Sequence, residues 1–338
     1  MHEYKYDNEP FNIIQPEEIA LTHKRIVPYI HRTPLITSAL LNNWLGHEII
    51  FKAENFQKIG AFKARGAINK ILSLKEQGKL PERVVAFSAG NHSQAVAWAA
   101  KQFGIDATIF LPEIVSSIKI QATKAYGAQV IITKTRQQAE DRTAALAKDG
   151  ACLVHAYDDD AIITGQGTAA FEALLDMGKK PDAILAACGG GGLLSGTYLA
   201  TALLSPATQV FGVEPKIAND ATNSYNAGKL YRFNDSPNTI ADGVRTLSLS
   251  PRTFHYIQNI DGFIESKESE ICYWVQWLSH LLKITVEPTA ALAMAGAHRW
   301  LAQQTAKKRI LVILSGGNIA PDVQQQILQE NHLATLPS

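Results

Sequence analysis

Cysteine, charge imbalance and long apolar runs are all scarce in this chain. Its 338 residues include three cysteines, Cys152, Cys188 and Cys272. They are odd in number, widely spaced and form no C-x-x-C pair, which excludes a disulfide framework and gives no zinc signal. Lys and Arg total 32 and Asp and Glu 31, a formal net charge of +1. A nucleic-acid partner held by bulk electrostatics is therefore not expected. No apolar run approaches the roughly 20 residues of a membrane span, so no membrane partner is expected. The first residues, Met1-His2-Glu3-Tyr4-Lys5, lack the apolar stretch of a signal peptide, and a cytoplasmic location is expected. No internal repeat, low-complexity tract or long linker interrupts the sequence.

Apolar residues make up 46% of the chain against 19% charged. That balance supports a large buried core and argues against disorder. The length allows two domains or lobes. Short β-branched runs at 49–51, 84–87, 108–111, 130–133, 152–155, 183–187, 210–213 and 310–314 alternate with helical stretches at 93–103, 118–126, 137–148, 168–177 and 193–204. Such alternation predicts parallel sheets covered by helices on both faces. The predicted fold class is α/β, with two lobes, each a mostly parallel twisted sheet flanked by helices. Residues 83–156 hold four strand runs and three helices, a complete small unit. The rest, 1–82 plus 157–338, forms the larger one. The polar stretch 228–244 is expected to be a loop at the surface or at the site.

Four glycine-bearing turns carry the chemistry. Lys58-Ile59-Gly60-Ala61-Phe62-Lys63-Ala64-Arg65-Gly66-Ala67 delivers Lys63 to the start of a helix. A lysine there is usually a solvated surface residue, so this turn says little alone. Cys188-Gly189-Gly190-Gly191-Gly192-Leu193 says more. Glycines allow close backbone approach to an anion, and a helix N-terminus adds unpaired N–H groups and a positive dipole end. No Lys-Ser or Lys-Thr follows, so it is not a Walker motif. Leu194 stands where the G-x-G-x-x-G fingerprint needs its last glycine, and a nicotinamide dehydrogenase is not expected. In Ser88-Ala89-Gly90-Asn91-His92, Asn91 is both donor and acceptor and suits a phenolate oxygen beside an imine. Ser88, His92 and nearby N–H groups can hold a carboxylate, the ordinary alternative being a helix cap. In Ser315-Gly316-Gly317-Asn318, the Ser315 hydroxyl can face a pyridine nitrogen or cap a turn. Ligands of parallel sheets sit beyond the carboxyl ends of the strands, where these turns fall. A nucleophilic lysine beside a phosphate cradle suggests pyridoxal phosphate held as a Schiff base.

Further pieces occur in order: His31-Arg32-Thr33-Pro34-Leu35, Ala125-Tyr126-Gly127-Ala128, Gly165-Gln166-Gly167-Thr168, Leu193-Leu194-Ser195-Gly196 and Glu287-Pro288-Thr289-Ala290. With the four turns they resemble the fold-type II pyridoxal-phosphate enzymes (tryptophan synthase β-like), specifically the serine/threonine dehydratase and serine racemase group. The resemblance implies that Lys63 forms the Schiff base and then acts as base. It implies that Phe62 packs beside the cofactor ring, Asn91 bonds the ring oxygen and Ser315 faces the ring nitrogen. Gly189, Gly190, Gly191, Gly192 and Leu193 would hold the phosphate. Ser88, Ala89, Gly90, Asn91 and His92 would bind the substrate. Ala61 stands where many relatives carry Ser, which removes a hydroxyl but not the amine. Members of the group often bind Mg²⁺ or Ca²⁺ through a Glu, a carbonyl four residues on and an Asp two beyond. Glu214, Ala218 and Asp220 have that spacing, and oxygen ligands suit a hard divalent cation. Spacing alone favours a solvated acidic pair at a helix start. Lys58, Gln94, Tyr126 and Lys283 match positions lining an intersubunit nucleotide site in some animal racemases, but such residues are common on surfaces and no nucleotide activation is expected. A homodimer is expected from the family habit. The short stretch after the last helical pattern leaves no room for a regulatory domain, so isoleucine inhibition is not expected.

The implied reaction is β-elimination from a small-molecule hydroxy amino acid. The Lys63 amine removes the α-proton, the cofactor accepts the charge, the hydroxyl leaves, and the enamine hydrolyses to a 2-oxo acid and ammonia. Serine gives pyruvate and threonine 2-oxobutyrate. A hydroxyl at Ser315, rather than a carboxylate, leaves the ring nitrogen largely unprotonated and discourages transamination. Racemisation needs an acid/base on the opposite face, and the resemblance puts that group at Ala89, whose methyl carries no proton. The expected function is L-serine/L-threonine dehydratase, with serine racemase and β-hydroxyaspartate dehydratase as alternatives. For a second substrate carboxylate, Arg136, Arg142 and Arg245 are the candidates. A silent cofactor- or phosphate-binding protein is the non-enzyme alternative; intact Lys63, Asn91 and Ser315 argue against it.

Overall fold

The computed structural model describes residues 11–88, 90–113 and 117–338. Ala89 lies outside them. The chain runs α1 (Glu17–Ile26), β1 (Leu35–Ile36), α2 (Ala39–Leu45), β2 (Glu48–Ala53), α3 (Lys63–Glu76), β3 (Arg83–Phe87) and α4 (Asn91–Lys101). It continues β4 (Asp106–Pro112), α5 (Ser117–Ala125), β5 (Gln129–Thr133), α6 (Arg136–Lys148), β6 (Cys152–Leu153) and α7 (Asp160–Asp176). Then come β7 (Ala183–Ala187), α8 (Gly192–Leu204), β8 (Gln209–Pro215), α9 (Asp220–Ala227), α10 (Pro251–Ile257), β9 (Gly262–Ser266) and α11 (Glu268–Leu282). The last elements are α12 (Pro288–Leu301), β10 (Arg309–Leu314) and α13 (Pro321–Ile327).

The strands make one six-stranded sheet, ordered β1-β2-β10-β7-β8-β9, and one four-stranded sheet, ordered β5-β4-β3-β6. All pairs are parallel except β1 with β2. Strand β7 reads Ala-Ile-Leu-Ala-Ala and is buried along its whole length. Strand β10 reads Arg-Ile-Leu-Val-Ile-Leu and is buried after its first residue. Continuous apolar strands follow from coverage on both faces. On one face Trp274, Trp277 and Trp300 of α11 and α12 pack with Leu185 and Val312. On the other, Phe171, Leu174, Leu194 and Leu199 of α7 and α8 pack with Ile184 and Leu311.

Strand order reverses at two places, between β7 and β10 in the large sheet and between β3 and β6 in the small one. Crevices open beyond the carboxyl ends of strands at such switch points. The four strand ends lead into Gly189–Gly192, Ser315–Asn318, Ser88–His92 and His155–Tyr157 respectively. The topology therefore aims three of the four glycine turns at one place.

The helix that carries Lys63 is anchored from behind. Arg65 on α3 is fully buried and bonds Glu54 and Glu172, with Nε to Glu54 at 2.7 Å and Nη2 to Glu172 at 2.8 Å. Lys52 on β2 joins the same Glu172 at 2.8 Å. Burying such charges is unfavourable unless every partner is in place, so the network fixes the position of α3 more than it adds stability. Helices α7 and α8 touch through Gly167 and Gly196, where an added Cβ on either would stand 2.5–2.6 Å from the other's backbone.

Several details differ from the sequence reading. Strands β1 and β9 were not expected. One has two residues, and the other is an edge strand that opens on glycine. Strand β6 stops at Leu153 rather than 155. There the N–H groups of Tyr157 and Asp158 donate to His155 Nδ1 and turn the chain. Helix α7 starts at Asp160, not 168, because Asp159 caps it by accepting from Ala161 and Ile162. That first half carries Gly165 and Gly167, weak helix formers. Of the stretch 228–244 expected to be a loop, residues 229–241 form no helix or strand, whereas Asp242–Val244 closes it with one 3-10 turn.

Candidate active site

The lysine turn is stitched to the serine turn. Phe62 N–H donates to the Ser315 carbonyl at 3.0 Å, Gly317 N–H to the Gly60 carbonyl at 3.0 Å, and Ala61 bridges Gly316 in antiparallel fashion. Within the turn Ile59 adopts φ 60°. A β-branched residue there is strained, by about 1–3 kcal/mol, and is held only by its surroundings. Its carbonyl accepts from Asn318 Nδ2 at 2.7 Å.

Lys63 opens α3. Its Nζ donates to the carbonyl of Ala156 at 2.6 Å and lies 5.1 Å from the centre of the Phe62 ring. The residue as a whole is half-buried. Desolvation of the amine nevertheless lowers it to about 8, and no carboxylate among the described residues opposes that shift. The Ser315 hydroxyl is buried and has no hydrogen-bond partner among the described residues.

Asn91 opens α4, and both ends of its side-chain amide are anchored. Nδ2 donates to Glu287 Oε1 and Oε2 at 2.9 and 3.1 Å, and Oδ1 accepts from Asn318 Nδ2 at 2.8 Å. Asn318 N–H also donates to Glu287 Oε2 at 3.2 Å. Glu287 precedes α12 and is 2% exposed. Burial first, then the nearby charge of Asp242, push its carboxyl up to about 7, against the opposing pull of Lys119, Asn91 and Asn318. Gly316 leaves it room, since an added Cβ would stand 2.7 Å from Oε1. Ser88 Oγ accepts from Gly90 N–H at 3.2 Å, a local turn contact. His92 is buried, with Nε2 at 2.8 Å from the Val154 carbonyl and Nδ1 without a partner among the described residues. Burial, then the charge of Lys63, lower it to about 3, so the ring is neutral. It faces the strand-end backbone.

The tetraglycine joins β7 to α8, with Gly191 at φ +88° before the first helical residue. Chain segments crowd it. An added Cβ on Gly189 would stand 3.1 Å from the Gly243 carbonyl, and one on Gly190 would overlap the Tyr157 ring. Gly243 N–H donates to Thr289 Oγ1 at 3.0 Å, two residues from Glu287. Leu193 is buried in the core behind the turn.

Glu214, at the end of β8, and Asp220, at the start of α9, are both buried. Glu214 accepts from Ala221 N–H at 3.1 Å and from Thr222 N–H at 2.7 Å. The oxygens of Asp220 are buried without a well-formed hydrogen bond, as is the Thr246 hydroxyl beside them. Burial pushes Glu214 well above the usual carboxylate range and Asp220 up to about 7. No group of three or more His, Cys, Asp or Glu able to hold a metal ion forms among the described residues. The pair, with the Ala218 carbonyl of the connecting segment, is thus a two-carboxylate candidate.

Of the three arginines, Arg142 is exposed on α6. Arg136 lies over the Phe87 ring at 5.3 Å, pairs with Glu140 at 2.8 Å and donates to the Arg245 carbonyl at 3.1 Å, so its guanidinium is already engaged. The Arg245 side chain is occupied by the Thr239 carbonyl. Four contributors escaped the sequence reading: Glu287, Asn318, Tyr157 and the carbonyl of Ala156. The first two stood in matched motifs without a role; nothing local marked the others.

Comparison with known proteins agrees with this geometry. Residues 26–316 match the family described as pyridoxal-phosphate dependent enzyme. L-threo-3-hydroxyaspartate ammonia-lyase of Saccharomyces cerevisiae is 42% identical over 300 residues, covering 87% of this chain and 90% of that protein. Serine racemase of Schizosaccharomyces pombe is 38% identical over 313 residues, 91% and 96% of the two chains. The crystal structure of a T.th. threonine deaminase superposes with a TM-score of 0.86 at 42% identity, covering 91% of this chain and 99% of that one. The chain belongs to the family of pyridoxal-phosphate dependent enzymes, alongside ammonia-lyases and racemases.

Proposed function

We propose that the protein is an ammonia-lyase that removes water from a hydroxy amino acid and releases a 2-oxo acid and ammonia. The observation that carries this reading is Lys63, a desolvated amine lowered to about 8 and held by a neutral carbonyl at 2.6 Å. Such an amine is fit to attack a carbonyl and to accept a proton near neutral pH. When bound, pyridoxal phosphate supplies a carbonyl that condenses with amines and a ring that accepts charge from the α-carbon. The residues present fit it. The glycine turn at the start of α8 suits its phosphate, the unpartnered Ser315 hydroxyl its ring nitrogen, and Phe62 one edge of its ring. In this reading Lys63 takes the α-proton, and Asn91 orients the reacting groups while itself held by Glu287 and Asn318. Ser88 and the N–H groups at the start of α4 receive the substrate carboxylate. The two sheets act as lobes, 83–156 against 1–82 plus 157–338, that exclude water from the cleft between them.

Elimination is favoured over racemisation by the identity of residue 89. The resemblance puts the second acid/base at this position, and an alanine methyl carries no proton. Among substrates, serine and threonine are the first reading. The second is 3-hydroxyaspartate, supported by the ammonia-lyases for it among the relatives. We further read Glu214, Asp220 and the Ala218 carbonyl as a divalent-cation site, supported by the unpartnered oxygens of Asp220. A cation would offset two desolvated carboxylates, which the chain alone leaves raised.

The test is to supply the purified protein with L-serine, L-threonine and 3-hydroxyaspartate, following 2-oxo acid release and product chirality. The proposal expects 2-oxo acid from at least one and little D-amino acid. D-Serine from L-serine without pyruvate would replace it with a racemase.

A further inference from the structure

The segment that returns from the small sheet to α7, His155-Ala156-Tyr157, touches both halves of the candidate site. The carbonyl of Ala156 holds the Lys63 amine at 2.6 Å. One residue on, the Tyr157 ring fills the space beside the tetraglycine. An added Cβ on Gly190 would overlap the ring, and one on Gly192 would stand 3.1 Å from Tyr157 Cβ. The ring is fixed in turn, with its hydroxyl donating to the Ser248 carbonyl at 3.3 Å and an edge-to-face contact with His155 at 4.7 Å. The backbone is fixed as well, since Tyr157 and Asp158 N–H groups donate to His155 Nδ1 at 3.3 and 2.8 Å. That leaves His155 with Nδ1 as acceptor, hence neutral with the proton on Nε2.

We propose that Tyr157 is a positioning residue for the cofactor: its ring buttresses the glycine turn and sets the separation between the phosphate cradle and the Lys63 amine held by the preceding carbonyl. The inference rests on the reading of Gly189–Gly192 as the phosphate turn. Glycine at 190 then has a further cause besides approach of an anion, which is that the tyrosine leaves no room for a side chain. The hydroxyl contributes less than the ring, because 3.3 Å marks a weak bond and the contacts with the turn are made by ring carbons and backbone. Loss of a partner behind a metal ligand typically lowers affinity about 10- to 100-fold, and a loss of the same order is expected behind this turn.

The experiment measures the rate at which the holoenzyme releases pyridoxal phosphate into an excess of a cofactor-trapping protein, together with the ³¹P NMR line of the bound phosphate. Tyr157→Phe should release within about twofold of the parent, and Tyr157→Ala about 10- to 100-fold faster with a shifted or broadened line. Gly190→Ala should also release faster. The double variant Gly190→Ala/Tyr157→Ala should release more slowly than the product of the two single effects, because the second truncation relieves the overlap. A merely structural role would move the melting temperature but leave the two effects independent. Release from Tyr157→Ala at the parent rate, or strict additivity in the double variant, overturns the proposal. Absence of pyridoxal phosphate from the purified parent would overturn the underlying reading instead.

Discussion

Replacing Glu287 by glutamine should change how stability depends on pH. Its carboxyl sits at about 7 in the fold against an ordinary 4.5, chiefly because it is buried. Between those values the folded chain holds a proton that the unfolded chain has lost. Stability therefore falls as pH rises from 4.5 to about 7, then levels. The separation corresponds to about 3 kcal/mol when fully expressed. Charged and polar groups face this carboxyl from every side: Asp242 and Lys119 through space, Asn91 and Asn318 by hydrogen bonds. Glutamine keeps one acceptor oxygen for Asn91 and loses the bond at the other position, a loss of about 1 kcal/mol. Glu287→Gln should therefore melt no higher than the parent at pH 5. At pH 8 it should gain about 2 kcal/mol, roughly 4 °C for a large domain. The assay is thermal unfolding of both holoenzymes from pH 5 to 8. Parallel curves would refute the reasoning, because they would show that Glu287 ionises freely in the fold.

Two further outcomes follow from the same geometry. Ala89→Ser supplies a proton carrier where the resemblance puts one, and D-serine formation from L-serine should rise about tenfold or more; unchanged chirality would count against that placement. Added Mg²⁺ or Ca²⁺ should raise the melting temperature, with about 2.7 kcal/mol of stabilisation at a hundredfold excess over the dissociation constant, and Asp220→Ala should abolish the increase; equal gains in both proteins would remove the cation site.

The fold was legible where the sequence pattern is local. Strands β7 and β10 announce themselves as unbroken apolar runs, and the glycine turns mark where such runs end. Strand β9 was missed because a glycine start and a run of half-buried residues give no clean period. The site divides the same way. Lys63, Asn91 and Ser315 sit in turns that a reader can weigh residue by residue. Glu287 looks like any residue before Pro288, and it is brought to Asn91 across 196 residues. The Ala156 carbonyl reaches Lys63 across 93. Partnerships of that range have no periodic trace, and a backbone carbonyl has no sequence signature at all. His92 shows the reverse, a residue whose chemistry stands out in sequence but whose ring is buried against Val154.

The most direct test of the central claim is the absorbance spectrum and 2-oxo acid release of the holoenzyme beside Lys63→Ala. The account predicts a visible cofactor band and turnover of a hydroxy amino acid in the parent, with both the lysine-dependent band and turnover lost in the variant. A variant that keeps the parent's band and rate would contradict the assignment of Lys63.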